Sequence, residues 1–166
     1  MPERLAALDA KVLLGIQAVV PDCVQAHDLL RRARFLFRAT PTVLQELERL
    51  QQTAPDFTRA LAENALFALP SWEVVEAPFT DTETQVTEIH VNRVIERGIL
   101  DEKHRGDLFA LLEAAYMDCL LFVTTRDELL RRRVDLTLAL VDICGMSNLY
   151  IFAPSEITHF FKIVRG

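Results

Sequence analysis

Four acids, Asp9, Glu46, Asp107 and Asp127, stand where an open parallel sheet would gather them. Asp9 interrupts the apolar run LAALDAKVLLGIQ of residues 5–17. A carboxylate at such a place either faces solvent at a turn or holds something positive, because burying it unpaired costs several kcal/mol. Asp127 follows the apolar run LLFVTT, Asp107 begins the apolar helix leading into that run, and Glu46 lies one to two turns into the helix after FLFRAT. Each has an ordinary structural reading alone: Asp9, Asp107 and Asp127 as helix caps, Glu46 as a solvent-facing helix residue. Together, four carboxylates in one crevice repel one another and have raised pKa values unless a cation is present. Hard oxygen ligands of this kind suit Mg2+ or Mn2+, which retain waters and can activate one for attack on phosphorus.

The elements that must position these acids can be read from periodicity and caps. RLAAL (Arg4 to Leu8), RFLFRAT, WEVVEAP, CLLFVTT and LYIFA read as strands. Between them lie helical patterns: KVLLGIQAVV breaking near Pro21, DCVQAHDLLRRA with Asp22 as N-cap, and PTVLQELERLQQ started by Thr40 and Pro41. PDFTRALAENALFAL, TDTETQVTEIHVNRVIERGI, GDLFALLEAAYM, then RDELLRRRVDLTLALVDICG, helical at least at its start, and a final PSEITHFFKIV follow. Strands alternate with helices and no pair of strands is joined by a two-residue hairpin turn, so the chain is expected to be α/β with a mostly parallel sheet. No repeat, low-complexity segment or linker divides residues 1–166, and one domain is expected. In such sheets ligands bind beyond the carboxyl ends of the strands, where all four acids fall.

Composition narrows the classes of function. With 51% hydrophobic and 25% charged residues the chain can bury a sizeable core. No apolar run is long enough to span a bilayer, and the amino end lacks a signal-peptide pattern, so a cytoplasmic protein with no membrane partner is expected. A net charge of -6 argues against coating nucleic acid by overall charge, though RRARFLFR and Arg131 to Arg133 leave room for a local basic face. Cys23, Cys119 and Cys144 have no paired spacing and read as core residues. The four histidines show no ligand spacing, no serine sits in a nucleophile elbow, and there is no glycine-rich phosphate loop.

Several segments resemble PIN-domain nucleases. ALDAKVLL is similar to their first-strand motif, TPTVLQELERL to their second acidic helix, GDLFALLEAAYMDCLLFVTTRDELL to the helix and strand bearing the third and fourth acids, and IFAPSEITHFF to their closing strand and helix. The resemblance implies a three-layer sandwich with a central sheet of about four to five strands. It implies that Asp9, Glu46, Asp107 and Asp127 form the catalytic quartet that holds Mg2+ or Mn2+, with Thr125 as the supporting hydroxyl two positions before the last acid. The implied reaction is metal-dependent hydrolysis of RNA by an endoribonuclease, as the toxin of a toxin/antitoxin pair, with an antitoxin protein and a second copy of the chain as partners. The chain departs from the family pattern at Ala10 and Lys11, where a hydroxyl residue and then Asn or Ser are common.

Lys11 supports an alternative, a catalytically inactive PIN-like module that binds RNA or a protein partner, since a lysine beside a metal ligand can supply the positive charge itself. Lys11, Arg131 and Arg132 are also the candidate phosphate contacts; the arginines begin one turn after Asp127, within roughly 10 Å of the acids by helical rise.

Overall fold

The computed structural model describes residues 3–165. Strand β1 (Arg4–Leu8) is followed by helices α1 (Ala10–Gln17) and α2 (Pro21–Arg32), then β2 (Phe35–Ala39), α3 (Pro41–Thr53), α4 (Asp56–Ala68) and β3 (Val74–Glu76). The second half contains α5 (Asp81–Glu96), α6 (Arg105–Tyr116), β4 (Leu121–Val123), α7 (Asp127–Arg131), α8 (Arg133–Asp142), β5 (Tyr150–Phe152) and α9 (Pro154–Arg165). The five strands form one sheet in the order β3-β2-β1-β4-β5, every pairing parallel and helices packed around it, so the expected α/β sandwich is present.

β1 lies at the centre because it can be buried on both faces: Ala6, Ala7 and Leu8 are almost completely inaccessible. A short, continuous apolar run is what a parallel strand covered on both sides requires. Cys23, Cys119 and Cys144 are buried as core residues. After β1 the chain moves to β2 and β3 on one side, then crosses back to β4 on the other. The topological switch point therefore falls between the carboxyl ends of β1 and β4. The Asp9 amide continues the ladder there, donating to the Val123 carbonyl at 3.0 Å.

One cap differs from expectation. Helix α2 begins at Pro21 with Val20 at the cap, and Asp22 sits in the first turn rather than capping. Proline is suited to that position, since its fixed φ is helical and its missing N–H would have had no partner. RDELLRRRVDLTLALVDICG, expected to be helical at least at its start, is helical from Asp127 and breaks at Arg132 into α7 and α8. The break lays α8 beside the edge strand β5. Arg133 Nη1 donates to the Ile151 carbonyl at 3.3 Å and Thr137 Oγ1 to the Leu149 carbonyl at 3.4 Å. Four residues of helix rise about 6 Å and two residues of strand about 6.6 Å, so side chains one turn apart can meet alternate carbonyls of the edge. Among the described residues no helix is long and apolar enough to cross a membrane.

Helix α3, which carries Glu46, is fixed at both its cap and its first turn. Thr40 caps it, accepting from the Val43 amide, and Glu113 of α6 accepts from the Thr42 amide and the Thr42 hydroxyl, both at 3.0 Å. Glu113 is 4% exposed. Burial pushes its carboxyl above the ordinary value of 4.5, against the lowering effect of the Thr42 and Thr40 hydrogen bonds. The folded state thus holds this proton to higher pH than the unfolded chain does, so the group's contribution to stability is full below the unfolded value and lost as pH rises through the raised one. Glu113→Gln keeps the shape without ionising; its amide oxygen can accept from the Thr42 amide while the Thr42 hydroxyl turns to accept from its NH2. Its advantage over the native residue in urea denaturation should be near zero at about pH 4 and grow toward about pH 7.

Gly15 is the point of closest approach between α1 and α2: a Cβ there would stand 2.5 Å from Cys23 Sγ and 3.2 Å from Cys23 Cβ. Gly15→Ala should therefore destabilise the domain by about 1 kcal/mol, the overpacking outweighing the gain in helix propensity; an unchanged urea midpoint would show that Cys23 moves aside freely.

Candidate functional site

The chain leaves β1 at Asp9, whose side chain caps α1 by accepting from the Ala10 amide at 2.8 Å. The cap explains why an acid can interrupt this apolar run, but only half of the carboxylate is used. Its second oxygen, Oδ2, accepts from the Thr124 hydroxyl at 2.7 Å. The same oxygen lies 3.4 Å from Nε of Arg126, a residue of the turn between β4 and α7. Thr124 is itself held, accepting from the Arg126 amide at 3.0 Å.

Arg126 gathers two further acids. Its Nη2 donates to Glu46 Oε1 at 2.5 Å, and its Nε lies 3.3 Å from Asp107 Oδ1. Three carboxylates from the end of β1, from α3 and from the first turn of α6 thus converge on one guanidinium at the switch point. His104, at the amino end of α6, flanks Asp107, with Nδ1 3.7 Å from Oδ2. Asp9 is 3% exposed. Burial pushes its carboxyl up from the ordinary value, and the Thr124 hydroxyl, the Arg126 guanidinium and the Ala10 amide oppose that rise. Burial also works against the charge of Arg126, but attraction by Asp9, Glu46 and Asp107 holds its pKa above the ordinary arginine value. The guanidinium is charged throughout the accessible pH range.

Asp9, Glu46 and Asp107 are brought together; Asp127 and Thr125 are not among their contacts. Both are exposed, Asp127 in the first turn of α7. The hydroxyl that touches Asp9 belongs to Thr124, and the residue two positions beyond it is Arg126. The arrangement of a hydroxyl followed two positions later by a side chain in the cluster is therefore kept one residue earlier than expected, with a cation in place of the acid. Lys11 is exposed, and its charge is not the one that Asp9 meets.

The basic run after Asp127 is largely engaged within the fold. Arg132 donates to the Ile99 carbonyl at 3.1 Å and pairs with Asp135, and Arg133 binds both oxygens of Glu156. Arg131 is exposed and pairs with Glu128 at 3.6 Å. Arg31 and Arg32 both pair with Asp28.

As they stand, these residues do not fit a divalent ion. The point on which the three carboxylates converge is filled by the Arg126 guanidinium, and among the described residues no three His, Cys, Asp or Glu side chains are close enough together to hold a metal. What the arrangement does is neutralise: it keeps one buried and two half-buried acids at the switch point beside a permanent positive charge.

No protein-family model matches the chain, and no curated protein matches it either. Among solved structures, a chain of VapBC2 from Rickettsia felis, bound to a DNA fragment from their promoter, is similar at a TM-score of 0.63 with 15% identity, covering 90% of this chain and 98% of that one. At such identity the likeness speaks for the fold alone. Taken with the parallel five-stranded sheet and the acids gathered at its switch point, it shows that the chain has a PIN-like fold.

Proposed function

We propose that this chain is a PIN-like module that binds a protein partner and, as it stands, does not hydrolyse RNA through Mg2+ or Mn2+. The observation that carries this reading is the Arg126 guanidinium among Asp9, Glu46 and Asp107. A divalent ion would have to displace a side chain tethered to the backbone a few ångströms away, which competes for the acids at a high effective concentration.

A protein is favoured over RNA as the partner. The chain is acidic overall, at -6, and Arg31, Arg32 and Arg131 to Arg133 are each paired with an acid of the same chain. Helix α8 also presents an outward stripe of Val134, Leu138 and Val141, which are 70%, 57% and 40% exposed, at the three-and-four spacing of a helix seam. An antitoxin of the kind implied by the sequence resemblance is one such partner, and a second copy of the chain is another.

The reading as a metal-dependent ribonuclease keeps one observation in its favour. Asp9, Glu46 and Asp107 meet at the carboxyl ends of the strands, with Thr124 orienting Asp9. Calorimetric titration of the native protein with Mn2+, with a labelled RNA incubated in parallel, separates the two. The binding module predicts no saturable Mn2+ heat and intact RNA. Mn2+-dependent cleavage that disappears in Asp9→Asn would establish the nuclease instead, and salt-sensitive RNA binding without cleavage would replace the protein partner with RNA.

A further inference from the structure

The disagreement between an acid cluster and a divalent ion has a specific source. We infer that Arg126 is a covalently attached substitute for the cation that these acids would otherwise need, and that changing this one residue makes the cluster bind Mn2+ or Mg2+. The inference rests on the non-hydrolysing reading above.

The argument starts from charge. Asp9 has almost no access to water, and Glu46 and Asp107 have side chains only 23% and 20% exposed, so three carboxylates share a poorly solvated space. Such a group needs a counter-charge, and among the described residues the Arg126 guanidinium is in contact with all three. It supplies a single positive charge, leaving the cluster net negative with its acids pointed at a common centre. The cluster therefore already holds a cation; the chain has made that cation part of itself.

Geometry then decides what its removal would leave. Asp9 Oδ2 and Asp107 Oδ1 both lie within 3.4 Å of the same nitrogen, and Glu46 Oε1 is on the next nitrogen of the same planar group. A bound Mg2+ needs oxygens at about 2.0–2.1 Å, so measured from the guanidinium nitrogens, at 3.4 Å for Asp9, 3.3 Å for Asp107 and 2.5 Å for Glu46, the two aspartates must close in by about 1.2–1.3 Å and Glu46 by about 0.4 Å. Asp9 is fixed by Thr124 and the Ala10 amide, whereas Glu46 and Asp107 sit on helix surfaces with partial access to water, where a change of side-chain torsion can supply the movement. Mg2+ and Mn2+ keep several waters, so three carboxylates are enough protein ligands. Aspartate at 126 would add a fourth from the turn that now brings the arginine in.

The experiment compares the native protein with Arg126→Asp and Arg126→Ala, titrating MnCl2 by calorimetry and following urea unfolding with and without Mn2+. The expected result is no saturable binding and no Mn2+ effect on unfolding for the native chain. Arg126→Asp should bind at least about tenfold more tightly than the native chain does, with a urea midpoint that rises with Mn2+ concentration as linkage requires. Adding Asp9→Asn to Arg126→Asp should abolish the binding and so place the ion at this cluster. If Arg126→Asp is unfolded without metal, refolding on addition of Mn2+ is the same positive result. Folded Arg126→Asp and Arg126→Ala that ignore Mn2+, or variants that Mn2+ fails to refold, would overturn the inference while leaving the non-hydrolysing reading intact. Saturable Mn2+ binding by the native chain would overturn that reading itself.

Discussion

A carboxylate at the end of the central strand, removed from water, has to be balanced, and much of the arrangement around the switch point follows from how Asp9 is balanced. One oxygen caps α1 and so sets the direction in which the chain leaves the sheet. The other is shared by Thr124 and Arg126, which ties the turn after β4 to the turn after β1. The same guanidinium reaches α3 and α6, so four segments distant in the chain are joined through one side chain. Removing one partner of such a cluster leaves buried charge uncompensated, which is why clusters of this kind are hard to alter one residue at a time.

The convergence itself is a property of topology. In a sheet ordered β3-β2-β1-β4-β5 the chain reverses direction between β1 and β4, and the loops leaving those two strands diverge, opening a crevice at their carboxyl ends. Helix α3 is brought to its rim by the Thr40 cap and by the Glu113 bonds to Thr42, and α6 delivers Asp107 from its first turn. Acids at helix starts are favoured by the helix dipole, so the same positions serve local stability and the cluster at once.

The sheet and most of its helices were legible because strand runs such as RLAAL and caps such as Thr40-Pro41 are local signals. The positions of Asp9 and Asp107 were legible for the same reason, as residues placed after a strand and at a helix start, and that of Glu46 from its place one to two turns into α3. Arg126 was not. The run LLFVTT has two adjacent threonines, and successive residues of an extended chain point to opposite sides, so an error of one position exchanges which hydroxyl faces the acids. The strand ends at Val123, Thr124 faces inward, and the position two residues on is an arginine rather than Asp127. The roles of Arg132 and Arg133 were equally hidden, because their partners, the carbonyls of Ile99 and Ile151, come from other parts of the chain.

The span of these contacts along the chain bears on how the domain is made. Asp9 meets Thr124 across 115 residues and Arg126 across 117, and Glu46 meets Arg126 across 80. Every one of these contacts waits on the segment that follows β4. A nascent chain halted before Thr124 has β1 to β4 available but holds β4 with one edge unpaired, because β5 lies further on, and Asp9 without its counter-charge. Such a species cannot complete the core, and its exposed apolar strand invites pairing with other chains. Chain elongation through the last quarter of the sequence is thus the step that decides between folding and misassembly.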